Sequence, residues 1–343
     1  MLINLHTHLE GRVRPSTAAE LARRAGLVEP EQGWETAIRL DGPADLTVYL
    51  AKVAATYPFF DTGETLARIT REAVEDSAAD GQDYLELRFG PATHVRPGFG
   101  LDDVIAAACQ GLREGVTATG MPAGIVVAAL RHHGAELNEQ VARAAARHAG
   151  DGVVGFDLAG DEALHPDVRA YAGAFALAGA AGLGLTCHAA EAGPASAARE
   201  AVEHLGVSRI GHGTHIADDA ETMAWAAGAG ITVEVCPTSN WYTGATSSLL
   251  HHPAPRFHQA GIPVVLGDDN PMQTRSLLSD EYRLLARDLG FDAPALRAVG
   301  LAAVEAGFMD DGTRAALRRR SDRDTAAGAR AQAGFASSAA NRA

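Results

Sequence analysis

The sequence has few of the features that mark several other classes of protein. It contains three cysteines, Cys109, Cys187 and Cys236, without the paired spacing of a disulfide framework or a thiolate zinc site. No stretch approaches the roughly 18 apolar residues that a membrane-spanning helix needs. The chain opens in an apolar strand pattern without a preceding basic segment, so no secretory signal is expected. These features predict a reduced, cytoplasmic protein.

The charge balance argues against nucleic acids and anionic membranes as partners. The formal net charge is −14, and the chain contains no basic tract. An acidic surface repels the phosphates of nucleic acids and of anionic membranes, so neither partner is expected. A small neutral or cationic ligand is compatible with this charge.

Short, nearly continuous apolar runs alternate with Ala-rich helical stretches along the chain. Runs of this kind are typical of strands that are buried on both faces, as in parallel β-α units. Eight such runs predict an α/β protein with a closed (β/α)8 TIM barrel. The predicted strands are Leu2–His6, Tyr84–Phe89, Ala123–Leu130, Val153–Leu158, Gly184–His188, Arg209–His212, Ile231–Val235 and Pro263–Gly267.

One domain is predicted over residues 1–320, followed by a disordered tail over 321–343. The connection after strand 1 is long enough to hold a helical insertion. Its predicted helices run from a capping box at Thr17 to Ala25, from about Leu46 to Phe60, and from about Glu64 to Ala79. An insertion here lies at the C-terminal mouth of a barrel, where it either covers the site or pads the rim.

Polar residues follow six of the predicted strands. In a barrel these strand ends converge on one mouth, where polar residues indicate catalysis. His6 and His8 alternate along strand 1, so both side chains face one point. With His188 and Asp268 at two other strand ends, they make a ligand set that suits Zn²⁺, or Fe²⁺ or Co²⁺. Asp269 is then free to bind a substrate or a water.

The motifs at these strand ends, taken in order, resemble those of the adenosine deaminase family of metal-dependent hydrolases. The resemblance extends from Leu2 to about Arg318. It implies hydrolytic deamination of an adenosine-like 6-aminopurine to the 6-oxopurine and ammonia by a metal-activated water. The motifs are His6–Gly11, Tyr84–Phe89, Asp157–Glu162, His188–Glu191, Arg209–His215, Glu234–Asn240 and Asp268–Asp269.

The resemblance also implies roles for individual residues. Glu191 would protonate a ring nitrogen of the purine, and His212 would orient and deprotonate the water or stabilise the hydroxide. Asp269 would bind the water and the five-membered ring, the N–H of Gly160 would bind another ring nitrogen, and Glu10 would contact the sugar end of the ligand. One metal ion, Zn²⁺ by preference, would be held by His6, His8, His188 and Asp268.

Several departures from the family pattern leave the substrate open. Glu10 stands where adenosine deaminases carry Asp, and relatives that act on free adenine tend to carry Glu. Ala190 replaces a Gly. Arg12 and Arg14 would either recognise an anionic group of a modified purine nucleoside or carry solvated loop charge. Trp241 would either stack on a base or pack at the rim.

Two alternatives remain outside this activity. A non-catalytic nucleoside-binding barrel is opposed by the retention of every predicted metal and catalytic residue. A metal hydrolase acting on amides or esters is the other alternative. Many such enzymes use two metals bridged by a modified lysine, and that form is excluded because the only lysine of the chain, Lys52, does not follow a strand. The residues around Asp268 and Asp269 also depart from the family pattern. Asn270 follows the pair, and the Asn-Ser/Thr that usually precedes it is absent. The contacts that these neighbouring residues make with the ligand are therefore left open.

Overall fold

The computed structural model describes residues 1–323. Eight parallel strands form one sheet whose order follows the chain, each strand hydrogen bonded to the next. The strands are β1 (Ile3–His8), β2 (Tyr84–Phe89), β3 (Ala123–Leu130), β4 (Val153–Ala159), β5 (Gly184–Ala189), β6 (Arg209–His212), β7 (Thr232–Val235) and β8 (Val264–Leu266).

The two edges of this sheet meet between β1 and the residues that come after β8. The N–H of His8 donates to the carbonyl of Asp269 at 2.8 Å, and the N–H of Asp269 donates to the carbonyl of His6 at 3.0 Å. Gly267 permits the close approach, because a Cβ there would lie 2.3 Å from the carbonyl oxygen of His6. The sheet is therefore a nearly closed barrel, and the predicted fold class is confirmed.

The apolar runs located every strand to within two residues at each end. Three strands have their predicted bounds, whereas β1 continues to His8 and so carries both predicted histidine ligands within the strand. The pattern is reliable here because both faces of the strands are buried: Leu5, Leu85 and Leu87, for example, have no exposed surface.

Helices surround the barrel and cover its outer face. They include α1 (Pro15–Ala25), α2 (Gly33–Ile38), α3 (Leu46–Ala54), α4 (Gly63–Ala79), α5 (Leu101–Thr119), α6 (Ala135–Arg147), α7 (Ala172–Ala180), α8 (Ser196–Leu205), α9 (Ala220–Ala229), α10 (Pro237–Tyr242), α11 (Ala254–Gln259), α12 (Pro271–Thr274), α13 (Leu278–Arg287) and α14 (Ala293–Ala306). Residues 311–323 are also helical.

The insertion between β1 and β2 contains the three predicted helices and one more, α2. Helix α1 begins at Pro15 rather than at a Thr17 cap, and the hydroxyl of Thr17 donates to Glu72 instead, so the predicted capping box is absent. Helix α3 is shorter than predicted, because it ends at Ala54 and a separate 3-10 turn containing Pro58 comes after it.

The predicted limits of the domain and of the tail stay a prediction. Positions 321–323 belong to the last helical segment, and positions 324–343 lie outside the described residues. Within residues 1–323, no helix combines the length and the apolar character needed to cross a bilayer.

Candidate metal centre and active-site cavity

A cavity of about 490 Å³ lies at the C-terminal ends of the strands. This volume is in the usual range for small-molecule sites. Helix α3 of the insertion forms part of its wall through Leu46, Tyr49, Leu50 and Val53. The predicted site residues that line the cavity are His8, Glu10, Gly160, His188, Glu191, His212 and Asp269.

Histidines from β1 and β5 meet the turn after β8 at the floor of this cavity. Nε2 of His8 lies 3.2 Å from Nε2 of His188 and 3.3 Å from Oδ1 of Asp269. Nε2 of His6 is buried and lacks a hydrogen-bond partner among the described residues. A divalent cation is the species that would satisfy such a group of lone pairs, so the donor set fits a metal ion.

Carboxylates behind two of these histidines fix which ring nitrogen faces the cavity. Nδ1 of His6 lies 2.7 Å from Oε2 of Glu234, and Nδ1 of His188 lies 3.0 Å from Oδ2 of Asp157. A carboxylate partner holds the proton on Nδ1, which leaves the lone pair of Nε2 for a metal. Both imidazoles therefore have the orientation and the tautomer of a ligand.

His212 differs from them, although its ring lies beside those of His6 and His188. The Oδ1 atom of Asn240 accepts from the backbone N–H of Cys236, so the amide Nδ2 faces Nδ1 of His212 at 2.9 Å. An amide N–H donates there, which places the proton of a neutral His212 on Nε2. His212 is thus suited to donate a hydrogen bond in the cavity and not to bind a metal.

The protonation states of His6, His8 and Asp269 also favour a metal site at these residues. Burial lowers the pKa of His8 to about 4, and burial together with Arg88 lowers the pKa of His6, so both are neutral at pH 7. Burial alone would raise the pKa of Asp269, but the nearby histidines, His8 first, outweigh it and the pKa is lowered. Asp269 is therefore an anionic ligand candidate beside the neutral imidazoles of His6 and His8. Burial alone would lower the pKa of His188, but the Asp157 carboxylate outweighs it and the pKa is raised.

Asp268 does not belong to this group, which corrects the predicted ligand set. Its carboxylate accepts from Nη2 of Arg12 at 2.7 and 2.6 Å and from Nδ2 of Asn4 at 2.9 Å, and it faces away from the cavity. The carboxylate beside the histidines is that of Asp269, one residue later. Asn270 then takes the next position along the cavity wall, with its Oδ1 atom unpartnered among the described residues.

The turn that carries Asp269 is held in an uncommon conformation. Its φ is 54°, in the left-handed region, and Ala190 and His212 at two other strand ends have φ values of 54° and 63°. Non-glycine residues adopt this region only when the surrounding structure imposes it, and they cluster at functional sites. Here the bridge between β1 and Asp269 imposes it, and so determines which Asp faces the histidines.

Glu191 lies beside His212 in the cavity. Its Oε2 atom is 3.6 Å from Nε2 of His212, and its Oε1 atom accepts from the hydroxyl of Thr243 at 3.2 Å. Only 8% of the residue is exposed. An acidic group so placed, beside an N–H donor in a mostly enclosed cavity, is suited to proton transfer.

Glu162 holds the loop that carries Glu191, a role that the sequence did not reveal. Its buried carboxylate accepts from four consecutive backbone N–H groups, those of residues 190–193, at 2.8–3.0 Å. A Cβ at Gly193 would lie 2.7 Å from this carboxylate. The motif Asp161-Glu162 gave the signal that a carboxylate was present, but not that its partners were backbone amides.

Glu10 and Gly160 both line the cavity, and their contacts with a ligand stay a prediction. Oε1 of Glu10 accepts from the N–H of Gly90 and faces Nε2 of His94, both at 3.1 Å. Burial alone would raise the pKa of Glu10, but the hydrogen bond from His94 outweighs it and the pKa is lowered. Glu10 is thus an ionised acceptor within reach of a ligand. Gly160 has a φ of 107°, which a glycine adopts readily.

Neither arginine of the first loop lines the cavity, which removes support for the alternative in which they recognise an anionic group of the ligand. Arg12 has no exposed surface and pairs with Asp268, so it is not a solvated charge either. Arg14 donates to Asp76 on helix α4. Trp241 is outside the cavity lining and packs edge-to-face on Tyr242 at 5.5 Å. These contacts remove Arg12 and Arg14 as support for an anionic or otherwise modified nucleoside.

Comparison with known proteins shows the family to which this chain belongs. The profile of the family described as adenosine deaminase matches residues 2–323. The chain belongs to the adenosine deaminase family. It is 35% identical to the adenine deaminase of Rhizobium johnstonii over 93% of this chain and 98% of that protein. It is 32% identical to the adenosine deaminase of Clostridium perfringens over 90% and 94% of the two chains.

A solved structure supports the same placement. The Zn-bound amidohydrolase of Burkholderia ambifaria superposes with a TM-score of 0.87 at 25% identity, over 97% of this chain and 92% of that one. The predicted family, and with it the prediction of a metal-dependent hydrolase acting on C–N bonds, is confirmed. The roles of individual residues within the adenosine deaminase family stay predictions.

Proposed function

We propose that this protein catalyses the hydrolytic deamination of an adenosine-like 6-aminopurine, releasing the 6-oxopurine and ammonia. The observation that carries the proposal is the convergence, in one cavity, of a metal-binding group with His212 and Glu191 beside it. Membership of the adenosine deaminase family and the activities named for its relatives support it.

The ion would be held by four side chains: His6, His8, His188 and Asp269. Zn²⁺ suits three imidazole nitrogens and a carboxylate, and the zinc in the Burkholderia structure supports this choice over Fe²⁺ or Co²⁺. When bound, such an ion supplies an activated water nucleophile at neutral pH.

The remaining residues would bind the purine and move protons. Glu191 gives a proton from its carboxyl oxygen to the ring nitrogen beside C6, so that the ring accepts the electron pair of the incoming nucleophile, and the proton released by the water would restore the carboxyl. The proton of the hydroxyl added at C6 then passes to the amino group, and the C–N bond breaks to release ammonia as the C6 carbonyl forms. His212, with its proton on Nε2, stabilises that nucleophile by donating a hydrogen bond. The N–H of Gly160 holds another ring nitrogen, and Asn270 would face the five-membered ring in place of Asp269.

Free adenine is a second candidate substrate, and Glu10 could bind it. An ionised carboxylate held by His94 and Gly90 matches an N–H of the free base as well as it matches a sugar hydroxyl. The Rhizobium relative, an adenine deaminase, supports this alternative.

The test is a substrate panel with metal-loaded protein. Adenosine, deoxyadenosine, adenine and AMP are incubated separately, and both ammonia release and the loss of the adenine absorption band are measured. We expect turnover of adenosine or adenine, with AMP disfavoured because no Arg or Lys lines the cavity among the described residues. A protein that holds its metal yet releases no ammonia from any of the four would overturn the proposal.

A further inference from the structure

We infer that Tyr49, on the covering helix α3, is a positioning residue for the metal-binding carboxylate, and that it couples the docking of this helix to occupation of the metal site. The inference rests on the proposed function only in requiring that Asp269 binds a metal ion. Tyr49 would orient that ligand, and the bound ion would in turn stabilise the position of the helix above it.

The two carboxylate oxygens of Asp269 contact different groups. Oδ2 accepts from the hydroxyl of Tyr49 at 2.9 Å and from that of Ser239 at 2.5 Å. Oδ1 faces the other way, 3.3 Å from Nε2 of His8 and 3.7 Å from Nε2 of His6. Two donors on Oδ2 fix the rotation of the carboxylate, so that Oδ1 points at the histidines.

Helix α3 is attached to the barrel mouth by few side chains. Only Tyr49 and Val53 of its nine residues are buried, and they pack with Leu40 in a small cluster separate from the barrel core. A helix of this length is marginal without tertiary contacts. The hydroxyl of Tyr49 is therefore one of the contacts that attach α3 to the barrel mouth, together with the hydrogen bond from Gln273 to the carbonyl of Lys52.

These contacts imply thermodynamic coupling between the helix and the metal site. If docking of α3 orients Asp269 for a metal ion, then the bound ion must stabilise the docked helix by the same factor. Because α3 lines the cavity, the protein without metal would hold this wall more loosely and would release or admit a ligand more readily. Metal binding would then stabilise this wall of the cavity as well as supply the activated water.

The variant that tests this is Tyr49→Phe, which keeps the ring and removes only the hydroxyl. Co²⁺ serves as the probe, because its visible absorption reports the ligand geometry. We expect Tyr49→Phe to bind Co²⁺ about 10–100-fold more weakly and to alter its absorption bands. Tyr57→Phe is the matched control, since Tyr57 belongs to the same insertion but its ring lies against His94, and Co²⁺ affinity should be unchanged.

Hydrogen exchange of the amides of residues 46–54 supplies a readout that is independent of activity. In the wild type we expect Co²⁺ to slow this exchange, and in Tyr49→Phe the slowing should be lost. Ser239→Ala removes the other donor to Oδ2 and its 3.1 Å contact with the hydroxyl of Tyr49, but leaves the hydrogen bond from Tyr49 to Oδ2 in place. It should therefore weaken Co²⁺ binding but keep the metal-dependent slowing.

The outcomes separate the inference from the proposed function. Two results would overturn the inference and leave the proposed function intact. One is a Tyr49→Phe protein that binds Co²⁺ with the affinity and the absorption bands of the wild type. The other is wild-type hydrogen exchange at residues 46–54 that does not change when Co²⁺ is added. Failure of the wild-type protein to bind Co²⁺ or Zn²⁺ would overturn the metal assignment on which both depend.

Discussion

Arg12 and Asp268 form an ion pair in which neither side chain has exposed surface, with Nη2 of the arginine 2.6 and 2.7 Å from the two carboxylate oxygens. This pair separates the roles of two adjacent aspartates. Asp268→Asn should leave metal content unchanged but lower the free energy of unfolding by about 3–5 kcal/mol, because Arg12 becomes a buried unpaired charge. Metal analysis and urea unfolding measure the two effects.

Asp269→Asn should show the opposite result. The variant should lose most of its metal, because the anionic ligand candidate is replaced by a neutral amide, while Arg12 keeps its partner. If Asp268→Asn lost its metal and Asp269→Asn kept it, the metal ligand would be Asp268, as the sequence predicted.

A substitution of Glu191 tests the proposed proton donor. Glu191→Gln should reduce kcat about 10²–10⁴-fold, the usual contribution of general acid catalysis, with metal content unchanged because the side chain is not in the histidine group. Glu203→Gln, an exposed position on helix α8, is the matched control and should behave as the wild type. Near-normal turnover by Glu191→Gln would exclude the assigned role.

A substitution of Glu162 tests the support of the catalytic loop. Glu162→Gln places an amide against four N–H donors, and an unsatisfied buried group costs about 1–3 kcal/mol of stability. We expect kcat to fall more than KM changes, since the loop carries Glu191 rather than the predicted ring contacts. Steady-state kinetics of Glu162→Gln are compared with those of Glu136→Gln, a substitution at an exposed position on α6. The comparison shows whether the loss of kcat comes from the Glu162 contacts. Equal losses in both variants would contradict this role.

Glu281 predicts a pH dependence of stability. Its carboxyl is buried and accepts from Thr238 and Ser276, and burial raises its pKa from 4.5 to about 7. Between these values the folded state keeps a proton that the unfolded state has released, so stability falls as pH rises from about 4.5 to 7. The loss is on the order of 3 kcal/mol.

Urea unfolding of the wild type and of Glu281→Gln at pH 5 and pH 8 measures this dependence. The variant lacks the titrating group, so its stability should change less between the two pH values. Parallel changes in both proteins would show that other groups carry the pH dependence.

The strands and most strand-end residues were predictable because their signal is local. A fully buried parallel strand is an apolar run, and His6 and His8 need only strand alternation to share a face. The choice between Asp268 and Asp269 is not local. It depends on the bridge from the turn after β8 to β1 and on the pairing of Arg12, contacts that span more than 250 positions of the chain.

The loop arginines show the same limit. Arg12 and Arg14 come directly after a catalytic motif, so ligand recognition or solvation were the interpretations available from neighbouring residues. Their partners lie on helix α4 and after β8, where the sequence gives no pairing signal. The support of Glu191 by Glu162 escaped prediction because backbone N–H groups carry no sequence signature.

The charged side chains inside the barrel have a consequence for assembly. Arg88 of β2 pairs with Glu234 of β7, Arg209 of β6 pairs with Glu86 of β2, and His6 of β1 contacts Glu234. Each of these contacts joins the first four strands to the last four. A fragment ending after β4 would keep the pair of Arg88 with Asp157 but would leave Glu86 without Arg209, and a buried ion without its partner is costly. We expect neither half of this barrel to persist as an independent folding unit, and the two halves to become folded only together.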